Sequence, residues 1–212
     1  MSEPRIVVVS DGAALADEVS ARIERAANET PPDSRFRLAL SGGHTPRATY
    51  ERLAEREPPW SRFEIYFGDE RLVPADDPAS NFHMARDALF SRAPLSDAQL
   101  HRIPGELAPE DAAAAAADDL GGSASSPPRL DMILLGMGPD GHTASLFPGA
   151  PELDVSDRTT VPVHRPEMPQ PWRVSMTYPV INAADRVIFL VAGADKADTL
   201  ARAVAGDRDL PS

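Results

Sequence analysis

The sequence predicts an α/β fold: a Rossmann-like, doubly wound, mostly parallel sheet with helices on both faces. Three observations predict it. Short apolar runs alternate with helical segments along the whole chain, the pattern of a parallel sheet covered on both sides. The strongest run, within Leu130 to Leu135, is continuously apolar, as a strand buried on both faces must be. Several runs end in glycine-bearing turns that lead into the next element, the sites where open α/β sheets keep their ligands. At 212 residues the chain suits one α/β domain, spanning 1–212.

Taken in order, Ile6-Val7-Val8-Val9 reads as a buried strand, and Leu15, Val19 and Ile23 recur every four residues on an amphipathic helix. Pro31-Pro32-Asp33 breaks that helix. Arg35 to Leu40 is a second strand, ending in Ser41-Gly42-Gly43-His44-Thr45-Pro46; there Thr45 is a suitable N-cap and Pro46 a suitable first residue of the following helix. Phe63 to Phe67 is a third strand, closed by Gly68-Asp69-Glu70-Arg71, and Phe82 to Phe90 has a helical pattern. Six alanines, Ala112 to Ala117, favour a helix. Gly121 to Pro128 is an internal loop ahead of the strongest strand. Arg173 to Tyr178 and Arg186 to Val191 are two further strands, and Gly193-Ala194-Asp195-Lys196 opens a last helix. In a parallel sheet the loops after residues 40, 67, 135 and 191 lie on one side and can meet in one cleft.

Composition narrows the function. The net charge of −12 argues against a nucleic-acid partner, which requires a basic face. No run has the length of a membrane span, and the N-terminus lacks the basic-then-apolar layout of a signal peptide, so a cytoplasmic protein is expected. There is no cysteine for disulfides or thiolate metal sites. An anionic substrate would need a local cluster of cations to overcome the acidic background. Of the 21 basic residues only Lys196 is lysine, a compact ammonium at a strand-to-helix turn.

Four loops carry candidate chemistry. Ser41, Gly42, Gly43 and Thr45 sit at a strand-to-helix junction, where free N–H groups and the helix dipole attract an anion. The spacing matches neither a dinucleotide fingerprint nor a P-loop, and suits a single small phosphate or, equally, a plain glycine turn. His44 reads as a polar loop residue. Arg71 can hold a substrate oxygen, and Asp69 can bind sugar hydroxyls or position a partner; the bland alternative is a solvated turn. Asn81 is a polar contact candidate, and His83 reads as structural. Asp140-Gly141-His142 is the catalytic candidate: a neutral imidazole can take a proton from water, and a carboxylate two residues away can orient it. The alternative has Asp140 capping a following helix and His142 exposed. No zinc-protease spacing occurs, so no metal ligand is assigned. Lys196 and Arg173 are the cations placed to meet a phosphate, and Met84, Met137 and Trp172 are assigned to packing.

Three blocks then carry a resemblance: Leu40-Ser41-Gly42-Gly43 with Thr45-Pro46; Gly68-Asp69-Glu70-Arg71 with Val73-Pro74 and Ser80-Asn81; and Gly136-Met137-Gly138-Pro139-Asp140-Gly141-His142-Thr143-Ala144-Ser145-Leu146-Phe147-Pro148-Gly149. Arg173, Thr177 to Asn182 and Gly193 to Lys196 extend it. The chain resembles the glucosamine-6-phosphate isomerase/6-phosphogluconolactonase family, on its lactonase side. The resemblance implies a Rossmann-like fold and hydrolysis of 6-phosphogluconolactone in the pentose phosphate pathway, without metal or organic cofactor. His142 would be the general base. Ser41, Gly42, Gly43, Thr45, Arg173 and Lys196 would surround the phosphate, and Arg71 would lie near the lactone. The partner expected is the small sugar-phosphate lactone, bound by a monomer or weak homo-oligomer. Family members continue past Leu210-Pro211-Ser212 with a further strand and helix, so an uncovered sheet edge is expected. A sugar-phosphate isomerase or deaminase is the nearest rival, but Leu146-Phe147-Pro148-Gly149 offers no carboxylate where a deaminase carries an Asn-Glu pair. A non-catalytic sugar-phosphate sensor is the rival from another class.

Overall fold

The computed structural model describes residues 4–123 and 125–212. Its centre is a four-stranded parallel sheet of β1 (Phe36–Leu40), β2 (Phe63–Phe67), β4 (Met132–Gly136) and β7 (Val187–Leu190), in the order β2-β1-β4-β7. Register is set by apolar matches: Phe36 opposite Phe63, Leu38 opposite Met132, Leu134 opposite Ile188. Because side chains alternate along a strand, Leu38, Leu40 and Leu134 enter one core and Ala39, Ile133 and Leu135 the other. The first core is closed by α1 (Gly12–Glu29) and α2 (His44–Leu53), through Val19, Ile23, Tyr50 and Leu53. The second is closed by α5 (Tyr178–Ala183), through Val180 and Ile181. Helices thus lie on both faces, as the alternating pattern requires.

The local signals act as read. Asp11 caps α1 by accepting from the Ala14 N–H, and the helix ends at Thr30, before the proline pair. The alanine run forms the middle half of α4 (Pro109–Leu120), with proline at its first position. α3 (Asn81–Ala85) is capped by Ser80 and runs into a π-helical turn, Arg86–Phe90.

A second sheet was not anticipated. Gly68 donates to the Leu40 carbonyl, and past it the chain enters β3 (Asp69–Arg71) instead of turning into solvent. β3 pairs antiparallel with β6 (Trp172–Met176), which pairs with β5 (Thr160–His164). Three charged residues in a row hide a strand whose partner lies a hundred residues on.

Ile6 to Val9 corrects the opening expectation. The segment joins neither sheet, and Ile6 and Val8 are 60% and 88% exposed. A strand needs a sheet edge to accept its ladder bonds, and among the described residues this run makes none. β7 is likewise a sheet edge with no outer partner among the described residues, and its Phe189 is 40% exposed. Trp172, assigned to packing, is 41% exposed and stacks on His164 instead: it opens β6 on the same face as Val174 and Met176 but at the end of the strand, beyond the core those two enter. Among the described residues no helix is long and apolar enough to cross a membrane.

Candidate active site

The site is built where the parallel strands end and the small sheet begins. After β1, Tyr50 of α2 reaches back to the turn: its hydroxyl accepts from the Ser41 N–H at 2.9 Å and donates to the Ser41 carbonyl at 2.8 Å. Complete burial pushes this phenol up, so it stays a neutral donor. Pinned there, Gly42 lies so close to Asn81 that a Cβ would run into the amide oxygen. Gly43 has φ +114°, a conformation open to glycine. The helix begins two residues earlier than its Thr-Pro signal suggests: Gly43 is the N-cap, without a side-chain cap, and Thr45 lies inside the first turn. Among the described residues the N–H groups of Gly42 and Gly43 have no acceptor, and the buried Ser41 Oγ has no partner. Unpartnered donors at the start of α2 are groups that can receive an anion.

β3 supplies charge. Glu70 is 2% exposed and accepts from the backbone N–H groups of Arg71, Asn81 and Phe82 and from Ser80 Oγ, at 2.7–3.0 Å. Burial pushes its carboxyl up, and these hydrogen bonds oppose the shift. Its part is to hold the start of α3, and with it Asn81. Asp69 is a bracket as well: Oδ2 accepts from Ser145 Oγ at 2.6 Å and Oδ1 from Asn81 Nδ2 at 3.2 Å. Of the two expectations for Asp69, positioning fits and sugar binding does not, since both oxygens are engaged at 5% exposure.

The antiparallel register puts Asp69 opposite Ser175 and Arg71 opposite Arg173, on one face of the small sheet. Arg71 donates to the Ala79 carbonyl at 2.6 Å, leaving its buried Nε without a partner. Arg173 is 5% exposed, its Nε is unpartnered, and its guanidinium makes no hydrogen bond among the described residues. Burial lowers its pKa; Asp69 and Glu70 counter this, while the charges of Arg71 and Arg165 add to it. Two guanidiniums side by side, one uncompensated, present a place for an anion.

Val161 and Val163 of β5 lie alongside Ser175 and Arg173, and Phe147 packs on them. Phe147 in turn carries the His142 imidazole, ring centroids 4.5 Å apart and 30° between planes. The base loop is locally folded: Gly138 donates to the His142 carbonyl, Gly141 has φ +88°, and a Cβ on Gly138 would collide with the imidazole. Asp140 Oδ1 accepts from the His142 backbone N–H at 3.1 Å and meets Nδ1 at 2.6 Å. Burial resists ionisation of Asp140, but its hydrogen bonds from His142 outweigh it and hold the carboxyl below its ordinary range. A carboxylate on Nδ1 selects the tautomer with a free lone pair on Nε2. The His142 side chain is 25% exposed, open enough to reach a ligand. No helix follows: Thr143 and Leu146 exchange backbone hydrogen bonds across a turn in which Ala144 has φ +48°. The alternative role of Asp140 as a helix cap therefore falls away.

Lys196 ends a 3-10 turn before α6 (Ala197–Val204). Its Nζ donates to the Ala192 carbonyl at 3.2 Å and lies 3.5 Å from Asp195 Oδ2. α6 is docked on the base loop by Thr199 Oγ1, which donates to the Pro139 carbonyl at 2.7 Å. All four predicted loops thus adjoin: Gly42 against Asn81, Asn81 and Ser145 on Asp69, Phe147 with the β5 valines opposite Ser175 and Arg173, α6 on Pro139. His83 is engaged with Arg86 and Asp87, a structural role, and His44 is exposed. Sequence reasoning missed Tyr50, Glu70, Ser145 and Phe147; the last two stood inside the third block without an assigned role. Among the described residues no group of three or more His, Cys, Asp or Glu is arranged to hold a metal ion.

The pattern of the family described as glucosamine-6-phosphate isomerases/6-phosphogluconolactonase matches residues 10–212. A 6-phosphogluconolactonase of Nostoc sp. is 41% identical over 181 residues, 82% of this chain and 74% of that protein. Among solved structures, 6-phosphogluconolactonase from Trypanosoma cruzi superposes with a TM-score of 0.86 at 30% identity, over 100% of this chain and 88% of that one. The Thermotoga maritima 6-phosphogluconolactonase gives 0.83 at 31% identity, over 94% and 88%.

Proposed function

The chain belongs to the glucosamine-6-phosphate isomerase/6-phosphogluconolactonase family, and from that premise we propose that it hydrolyses 6-phosphogluconolactone to 6-phosphogluconate, a step of the pentose phosphate pathway, with His142 as general base. The activity named for its relatives supports the substrate class. The observation that carries the mechanism is the Asp140–His142 pair at 2.6 Å, with its imidazole on a ring that packs with Val161 and Val163, the β5 partners of Ser175 and Arg173.

His142 Nε2 takes a proton from water as the water oxygen bonds to the lactone carbonyl carbon. The carbonyl electron pair moves to its oxygen, and Arg71 or loop N–H groups hold that oxyanion. Asp140 stabilises the imidazolium formed. Collapse of the tetrahedral adduct breaks the bond to the ring oxygen, which receives the proton from His142 Nε2. The products are an open-chain acid and a hydroxyl. Arg173, Lys196, the Gly42 and Gly43 N–H groups, Ser41 and Thr45 receive the phosphate, while Asp69 and Asn81 keep these parts in register.

The test is a rapid assay with freshly generated 6-phosphogluconolactone against the unphosphorylated lactone. The proposal expects a large kcat/KM preference for the phosphorylated compound. Rates no higher than spontaneous hydrolysis for both would overturn it.

A further inference from the structure

We propose that Phe147, braced by Arg165 and Glu152, is a positioning residue that sets the plane of the His142 imidazole and so aims Nε2. This inference rests on His142 being the general base. Asp140 holds the imidazole through Nδ1 alone, at 2.6 Å. That bond and the covalent tie at Cβ still let the ring swivel through small changes in its side-chain torsions. The Phe147 ring removes the swivel: it lies 4.5 Å away at 30° to the imidazole. Aromatic pairs at this spacing are attractive beyond their buried area.

The platform must itself be fixed, and the chain fixes it with a charge. The Arg165 guanidinium lies over the Phe147 ring, 4.7 Å from its centroid. Arg165 is not free to serve substrate. Its NH2 donates to Glu152 Oε2 at 2.9 Å, and its NH1 to the His164 carbonyl at 2.7 Å and Glu152 Oε1 at 3.4 Å. Both charged side chains are mostly buried, 14% and 12% exposed, so the pair is rigid rather than a fluctuating surface contact. A cation over a ring face is attracted by its quadrupole. Three separate segments therefore converge on one ring: the base loop, the turn Pro151–Asp154 and the end of β5. Val161 and Val163 share its cluster, with Ala150, Val155 and Met168 packed around it. A ring that only filled the core would need its apolar neighbours and not a guanidinium tied to Glu152 and the His164 carbonyl.

Misplacement of a catalytic group by about 1 Å can cost on the order of 100-fold, so partial loss of aim predicts a smaller deficit. Phe147→Leu is expected to lower kcat roughly 10-fold with KM nearly unchanged, and Phe147→Tyr to restore it. Arg165→Met is expected to lower kcat less, and the double variant to be no slower than Phe147→Leu, since Arg165 acts through the ring. Proton NMR reads the stack directly. The His142 ring protons should be shifted by the Phe147 ring current, and that shift should vanish in Phe147→Leu and return in Phe147→Tyr. The assay is run beside His142→Ala. If His142→Ala keeps full activity, the base assignment fails, and this proposal with it. If His142→Ala is inactive while folded Phe147→Leu keeps wild-type kcat, or loses only melting temperature, the positioning role alone is refuted.

Discussion

Arg173 offers a prediction in which stability and function move in opposite directions. Its guanidinium is 5% exposed and makes no hydrogen bond among the described residues. Burial dominates and lowers its pKa, despite the carboxylates of Asp69 and Glu70. A cation whose folded pKa lies below its unfolded value is charged at a cost in the folded state. Arginine stays protonated at ordinary pH, so that cost is present throughout. Replacing Arg173 by methionine, which retains much of its packing, removes it. An unsatisfied buried donor costs about 1–3 kcal/mol. At about 2–4 °C per kcal/mol for a chain of this size, Arg173→Met should melt roughly 2–12 °C higher than wild type without ligand. Under the proposed function the same variant also loses charge-assisted bonds to the substrate phosphate, about 1.5–3 kcal/mol, which is on the order of 10–100-fold in KM. Differential scanning fluorimetry with and without 6-phosphogluconate, alongside steady-state kinetics, measures both. A lower melting temperature with unchanged KM would refute the reasoning on both counts.

Other consequences follow from single contacts. Asp140→Asn keeps the shape but no longer selects the Nδ1–H tautomer, so kcat should fall roughly 10²–10⁴-fold with little change in melting temperature; a rate near wild type would show that Asp140 only shapes the loop. Because the Asp140 carboxyl is held low, its bond to His142 is intact above the ordinary carboxylate range and is lost as pH falls through the depressed value, so Asp140 should not limit activity at mildly acid pH. His101 is clamped between Glu64 at 2.5 Å and Asp119 at 2.9 Å. Burial opposes its charge but the two carboxylates prevail and raise its pKa, so the clamp stabilises fully below the ordinary histidine value and is lost as pH rises through the raised one. His101→Gln should accordingly lower melting temperature more at pH 6 than at pH 10; an equal loss at both would refute the charge. Gly42→Ala forces Asn81 out of its bracket, costing about 1–3 kcal/mol and raising KM; an unaltered protein would mean the loops are not pressed together.

What could be read from the sequence depended on how local the cause was. β4 is legible because a strand buried in a parallel sheet must be apolar along its length, and β1 and β7 are legible as short apolar-rich runs that end in turn residues. Ile6 to Val9 gives the same signal and forms no strand, because an apolar run does not reveal whether an edge awaits it. The Asp140–His142 pair is legible because two residues of chain and a glycine fix it. Asp69–Arg71 was read as a turn, since the Ser145, Asn81 and β6 partners that allow its charges to be buried are distant in sequence. The Phe147, Arg165 and Glu152 cluster escaped notice for the same reason: each residue is unremarkable until the fold brings three segments together.

The central claim is that His142 takes the proton from water. It is tested most directly by the rate at which His142→Ala hydrolyses fresh 6-phosphogluconolactone, with spontaneous hydrolysis subtracted and binding of 6-phosphogluconate measured on the same sample. The account predicts a loss of roughly 10²–10⁴-fold in kcat with product affinity retained. A wild-type rate from that variant would contradict it.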